Sequence, residues 1–147
     1  MRPDLERMEK EHYDTNPQLH DTAYEYGRNL GIAFQLVDDL LDFVSTADAM
    51  GKPVAADLKL GLATAPVLYA CEQYPELNDM ILRKFKQDGD AERAREIVVN
   101  SEGMQKTRQL IATYSEKAVQ LAESLPNRNE STEQLIKLAA SQSDRKF

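Results

Sequence analysis

The longest hydrophobic segment of the chain runs from about Asp21 to Val44, and its pattern is helical. Apolar residues recur there at three- and four-residue steps, the spacing that gathers side chains on one face of an α-helix. Asp21 is the candidate N-cap of this helix. Gly27 and Gly31 share one face, which indicates that another helix or a ligand approaches closely there.

Shorter apolar segments follow and are separated by glycine and proline. Residues 45–63 are interpreted as a loop, and no segment alternates as a β-strand does. The predicted later helices begin at Thr64 (with Pro66 in the first turn), Glu76, Asp90, Met104 and Ser131, and Ser131 forms a capping box with Gln134. The helix from Glu76 is predicted to reach Lys86, and the one from Met104 to reach Leu125. The prediction is therefore an all-α fold.

An acidic strip interrupts the apolar surface of the first helix. At 100° per residue, Gln35, Asp38, Asp39 and Asp42 fall within one arc, and apolar residues cover the rest. Neighbouring like charges destabilise a helix, and no basic residue stands between Arg28 and Lys52. A cationic partner from outside this segment is therefore expected.

Carboxylate oxygens with room for water and phosphate suit Mg²⁺ better than a caged Ca²⁺. Lys52 follows ten residues after Asp42, between a glycine and a proline, where it could contact a phosphate as a point charge. The alternatives remain a solvated acidic face paired with Arg or Lys of another helix, and a solvated loop for Lys52, Asp57 and Lys59. Arg83 and Lys84 are likewise interpreted as part of a solvated helix face.

Composition narrows the class of protein. The chain has 147 residues and a net charge of −7, which argues against nucleic acid as a partner. No apolar run reaches the length of a transmembrane span, and the single cysteine excludes an intrachain disulfide. The first 14 residues mix acidic and basic side chains and resemble neither a secretory signal nor a mitochondrial transit peptide.

Three motifs occur in a fixed order along the chain. They are Phe34-Gln35-x-x-Asp38-Asp39-x-x-Asp42, then Gly51-Lys52-Pro53, then the stretch from Asp57 to Pro66. In this order the sequence resembles the C-terminal part of the trans-isoprenyl (polyprenyl) diphosphate synthase family. Within this family, the sequence most resembles the branch that includes subunit 1 of the animal decaprenyl and solanesyl diphosphate synthases, which make the side chain of ubiquinone.

The resemblance implies the C-terminal part of an all-α polyprenyl synthase bundle and a prenyltransferase activity. In this family Mg²⁺ holds the diphosphate of an allylic substrate, which isopentenyl diphosphate then attacks. By resemblance, Asp38, Asp39 and Asp42 hold Mg²⁺, and Gln35 and Lys52 contact the diphosphate. It also implies a mitochondrial location and a homo- or hetero-oligomer with another synthase subunit.

The sequence departs from the family in what it lacks. The first aspartate-rich motif and the basic residues that bind isopentenyl diphosphate have no equivalent here. We therefore expect a divergent segment over 1–18, a partial synthase domain over 19–142 and a frayed tail over 143–147. Such a chain should be inactive alone and should expose apolar surface around Phe34 and Val37. The alternatives are a non-catalytic subunit that binds or modulates a full-length synthase and, less favoured by the motif, a terpene cyclase fragment.

Overall fold

The computed structural model describes residues 16–44 and 56–145, and every regular element within these ranges is an α-helix. The prediction of an all-α fold is confirmed. The elements are α1 (Pro17–Val44), α2 (Ala56–Lys59), α3 (Ala65–Gln73), α4 (Leu77–Leu82), α5 (Asp90–Asn100), α6 (Gly103–Glu123) and α7 (Glu130–Ser143).

Helix α1 packs along α6, and this pair forms the centre of the bundle. Its inner face contributes Val37, Leu40 and Phe43, each at most 2% exposed, to a core shared with α3, α5 and α6. Gly103 opens α6 directly against the carbonyl of Pro66 in α3, and a β-carbon there would overlap that oxygen. A glycine at this position therefore permits the close crossing of α3 and α6.

Helix α7 covers the other end of the α1–α6 pair. The Tyr26 hydroxyl of α1 donates to the carbonyl of Leu135 at 2.7 Å, and the buried Ser115 hydroxyl of α6 donates to the carbonyl of Ala139 at 2.6 Å. These bonds fix α7 on both helices, because each satisfies a polar group that packing removes from water.

Two predicted helix starts were wrong, and asparagine explains both. Helix α1 begins at Pro17 rather than Asp21, because the Asn16 side chain accepts the amide N–H of Leu19 at 3.2 Å. Helix α7 begins at Glu130 rather than at Ser131, because the side chain of Asn129 accepts the amide N–H of Thr132 at 3.0 Å. In each case an asparagine caps the helix upstream of the predicted residue.

The predicted start of α3 is confirmed, since Thr64 is its N-cap and Pro66 lies in its first turn. The helix predicted from Glu76 to Lys86 is shorter, however, and ends at Leu82. The amides of Lys84 and Phe85 donate to the carbonyls of Ile81 and Met80 at 3.0 and 2.8 Å, which is the hydrogen-bond pair of a Schellman motif. The chain therefore leaves the helix four residues earlier than the pattern predicts.

The expected apolar exposure on α1 is confirmed at Phe34, which is 56% exposed, and wrong at Val37, which is 1% exposed. Val37 packs into the shared core, whereas Phe34, about 60° away around the axis of α1, lies on the exposed face. Apart from the adjoining residues and backbone of α1 itself, no atom of the described residues comes within 4 Å of a β-carbon built on Gly27 or Gly31, so this structure shows no close approach there. Within the described ranges, no helix combines the length and apolar character that a membrane span requires.

Candidate functional site

The aspartate motif occupies the C-terminal half of α1, and its side chains differ in environment. Asp38 is exposed, Asp42 is half-buried, and Asp39 is only 9% exposed. The prediction that all three carboxylates share one wet strip is therefore wrong for Asp39, which turns toward the core. The exposed strip contains Phe34, Gln35, Asp38 and Leu41 instead.

Gln35 supports the buried carboxylate. Its Nε2 donates to Oδ1 of Asp39 at 3.0 Å, one helical turn along α1. This bond favours the charged form of Asp39 and fixes the orientation of both side chains. Gln35 and Asp39 thus form one unit beside the exposed Asp38.

Helix α2, which lies in the segment interpreted as a loop, reaches back to the third carboxylate. The amide N–H of Ala56 donates to Oδ1 of Asp42 at 3.0 Å, and the amide N–H of Asp57 donates to Oδ2 at 3.3 Å. Asp42 therefore holds the chain where it returns to α1, and this contact brings the side chain of Asp57 into the site.

Asp57 is the residue that sequence reasoning missed. Its half-buried carboxylate is close enough to Asp39 and Asp42 for its charge to contribute to the raised pKa of both groups. Burial, followed by the charge of Asp38, raises the pKa of Asp57 above its ordinary value of 3.8. The available signal was its place at the start of the third motif, but the resemblance assigned it no role, and the stretch without apolar periodicity around it was equally consistent with a solvated loop.

The charges of the site are not balanced by the described part of the chain. Burial raises the pKa of Asp39 despite the hydrogen bond from Gln35, and burial also raises the pKa of Asp42 despite its two amide donors. No Lys or Arg in residues 16–44 or 56–145 forms an ion pair with these carboxylates. Lys52, the predicted diphosphate contact, lies outside the described residues.

The donor set fits a hard divalent cation, since it offers carboxylate oxygens and no sulfur or imidazole ligand. Across the described residues, however, no three Asp, Glu, His or Cys side chains converge closely enough to hold a metal ion as they stand. The carboxylates form one wall on α1 and α2. A cation on this wall would need further oxygen ligands from water or from an anionic substrate.

Comparison with known proteins identifies the family. The polyprenyl synthetase family model matches residues 9–100, which includes the aspartate motif, α2 and α3. The chain belongs to the polyprenyl synthetase family.

Curated members of the polyprenyl synthetase family are similar over most of this chain. All trans-polyprenyl-diphosphate synthase PDSS1 of Mus musculus is 58% identical over 104 residues, which cover 71% of this chain and 25% of that protein. A probable mitochondrial hexaprenyl pyrophosphate synthase of Neurospora crassa is 50% identical over 119 residues, 81% of this chain and 26% of that protein. The chain thus spans about a quarter of the length of these relatives.

Solved structures of family members share the fold described above. The apo medium/long-chain prenyl pyrophosphate synthase of Arabidopsis is 36% identical with a TM-score of 0.74, over 87% of this chain and 44% of that chain. A polyprenyl synthase of Caulobacter crescentus, complexed with calcium and isoprenyl diphosphate, is 34% identical with a TM-score of 0.69, over 85% of this chain and 39% of that chain.

Proposed function

We propose that this chain supplies one wall of a long-chain polyprenyl diphosphate synthase site and binds the diphosphate of a prenyl substrate through Mg²⁺. The observation that carries the proposal is the group of Asp38, Asp39, Asp42 and Asp57, whose charge no described cation balances. The names of the relatives, which act on prenyl diphosphates, support the substrate class. The Caulobacter synthase, which is complexed with calcium and isoprenyl diphosphate, supports a divalent cation at such a site.

Each residue has a distinct part in this proposal. Asp38 presents free oxygens to the cation from the exposed face, while Gln35 and the α2 amides hold Asp39 and Asp42 in fixed orientations. Lys52 contacts the departing diphosphate, as the family resemblance implies. When bound, Mg²⁺ neutralises charge that develops on the leaving diphosphate as the allylic substrate ionises.

The reaction of the whole synthase is the head-to-tail condensation of isopentenyl diphosphate onto the allylic substrate, and it needs two walls around the diphosphate. Positioning supplies much of the rate enhancement in such a reaction. The described helices contribute one wall, so we expect this chain to bind a prenyl diphosphate without converting it. A mitochondrial location is proposed from the names of its relatives.

Calorimetry tests the binding directly. Geranylgeranyl diphosphate titrated into the chain with Mg²⁺ should give heat of binding that chelation of the metal removes. The double variant Asp38→Ala/Asp39→Ala should lose this binding, while Glu116→Ala, a change at an exposed carboxylate of α6, should keep it. Equal affinity of the double variant and the unmodified chain would reject a metal-binding role for the aspartates.

A second candidate function is that of a non-catalytic subunit that binds an intact synthase. The outer face of α1 favours it, because Tyr24 is 65% exposed and Phe34 56% exposed beside the open Gly27 and Gly31. An exposed apolar face of this kind marks an interaction surface. Co-purification with a full-length synthase subunit, abolished by Phe34→Glu, would support this role. A chain that elutes alone in both forms would contradict it.

A further inference from the structure

Two helix ends meet behind the carboxylate wall. Helix α2 ends in a Schellman motif, in which the amides of Gly61 and Leu62 donate to the carbonyls of Leu58 and Asp57 at 3.0 and 2.9 Å. Gly61 occupies the left-handed region at φ +83°. Helix α4 ends in a second Schellman motif, with Lys84 left-handed at φ +57°.

The two left-handed residues are in direct contact. A β-carbon built on Gly61 would lie 3.1 Å from Cβ of Lys84 and 3.2 Å from its carbonyl oxygen. The backbone of Lys84 therefore occupies the space that any larger residue at position 61 would need. We call this pairing of Gly61 with Lys84 the double cap.

The turn that carries Lys84 is held by a charged pair across its base. Arg83 donates to both carboxylate oxygens of Asp90, from Nε at 2.6 Å and from one terminal nitrogen at 2.7 Å, and the amide of Gln87 also donates to Asp90 at 3.1 Å. The Asp90 side chain is 6% exposed. The interpretation of Arg83 as part of a solvated face was therefore wrong, because Arg83 forms a bidentate pair with the buried Asp90, and this pair fixes the geometry of the α4–α5 turn.

The double cap leads directly to the carboxylate wall. Asp57 is held at its carbonyl by the amide of Leu62, next to Gly61, and its own amide donates to Asp42. Leu58, which follows Asp57, is fully buried and leaves α2 little freedom to rotate. The position of the Lys84 turn thus fixes Gly61, and Gly61 fixes the backbone of Asp57.

We propose that Gly61, Arg83 and Asp90 are positioning residues for the carboxylate wall: the Arg83–Asp90 pair holds the Lys84 turn against Gly61, and the double cap sets the place from which Asp57 reaches Asp42. The value of this arrangement for function rests on the proposed diphosphate site. The linkage between the double cap and Asp57 is inferred from the contacts alone, so the linkage and the diphosphate binding can be tested separately.

Two readouts on the full chain test the linkage. One is amide hydrogen exchange at Ala56, Asp57 and Leu62, and the other is the Mg²⁺-dependent affinity for inorganic diphosphate. Gly61→Ala should speed exchange at these amides and weaken diphosphate binding about tenfold or more, the usual effect of losing groups that orient metal ligands. Asn127→Ala is the matched control, because it also places alanine at a left-handed φ, +59°, but in the turn between α6 and α7.

The control should leave both readouts within about twofold of the unmodified chain, less than the effect of losing a group that orients a metal ligand. Equal effects of Gly61→Ala and Asn127→Ala on exchange at Asp57 would overturn the proposal. If the unmodified chain does not bind diphosphate, the proposed function fails, and the exchange comparison still decides the linkage.

A second variant pair covers the case in which Gly61→Ala does not fold. Arg83→Ala should speed amide exchange at Asp57. Arg83→Lys keeps the charge but loses the bidentate hydrogen bond to Asp90, so its exchange rate should lie between those of the unmodified chain and Arg83→Ala. Arg93→Ala, which removes an exposed pair with Glu76, should have no effect at Asp57. Unchanged exchange at Asp57 in Arg83→Ala would overturn the proposal.

Discussion

Replacement of Asp38 by asparagine should change the stability of the chain in opposite directions with and without its ligand. Asp38 and Asp42 are like charges four residues apart on α1, a spacing that costs about 0.2–0.5 kcal/mol at an exposed site. Asp38 is exposed, so its neutralisation removes this repulsion. Without metal, Asp38→Asn should therefore unfold about 1 °C higher than the unmodified chain, given the usual 2–4 °C per kcal/mol for a chain of about 150 residues.

The ligand should reverse that order. At a diphosphate concentration 100 times the dissociation constant, binding stabilises the unmodified chain by about 2.7 kcal/mol. If the loss of one carboxylate weakens binding about tenfold, Asp38→Asn gains only about 1.4 kcal/mol at the same concentration. The variant should then be less stable than the unmodified chain by about 1 kcal/mol, after its initial advantage is subtracted.

Thermal unfolding followed by circular dichroism measures both effects, with Mg²⁺ and inorganic diphosphate present or with the metal chelated. Glu116→Gln is the control, since it neutralises an exposed carboxylate of α6 outside the wall. It should respond to the ligand as the unmodified chain does. The reasoning is refuted if Asp38→Asn and the unmodified chain gain the same stabilisation from Mg²⁺ and diphosphate, or if neither gains any.

Three further predictions concern stability. Because the pKa of Asp57 is raised above 3.8, the folded state holds its proton more tightly than the unfolded state, and the free energy of unfolding decreases as pH rises from 3.8 through the folded pKa. Asp57→Asn lacks this group, so its free energy of unfolding in urea, relative to that of the unmodified chain, should increase over that range. A difference that stays constant with pH would contradict the prediction. Leu58→Ala should lower the free energy of unfolding by about 2–5 kcal/mol, against little change for the exposed Leu60→Ala. Asn129→Ala should lower the free energy of unfolding by about 1 kcal/mol, because it removes the side chain that caps α7. If Ser131→Ala causes this loss instead, Ser131 is the cap and the prediction is wrong.

The sequence pattern predicted the parts of the site that lie on one helix. Gln35, Asp38, Asp39 and Asp42 follow α-helical periodicity, so their common neighbourhood could be derived from spacing. Their exposure could not, because it depends on which side of α1 packs on α6. The burial of Asp39 and of Val37, which the pattern did not predict, is the consequence.

The site residues that turns position could not be predicted from the sequence pattern. Asp57 joins the site through its backbone amide, which donates to Asp42. A backbone hydrogen bond of this kind does not depend on the spacing of side-chain types, so the sequence pattern could not predict it. The same holds for Arg83 and Asp90, which meet across a turn in which Lys84 and Phe85 both adopt the left-handed conformation that such residues rarely take. The predicted starts of two helices were wrong for a related reason. Several neighbouring residues were able to cap each N-terminus, and in the structure the caps are Asn16 and Asn129.

The central claim is that the aspartate wall binds a divalent cation together with diphosphate. Paramagnetic Mn²⁺, added at low stoichiometry with inorganic diphosphate to the isotope-labelled chain, tests it most directly through the broadening of amide resonances. The account predicts broadening centred on residues 35–42 and on Ala56 and Asp57, and its disappearance in Asp38→Ala/Asp39→Ala. Broadening that is uniform along the chain, or centred on another acidic surface, would contradict it.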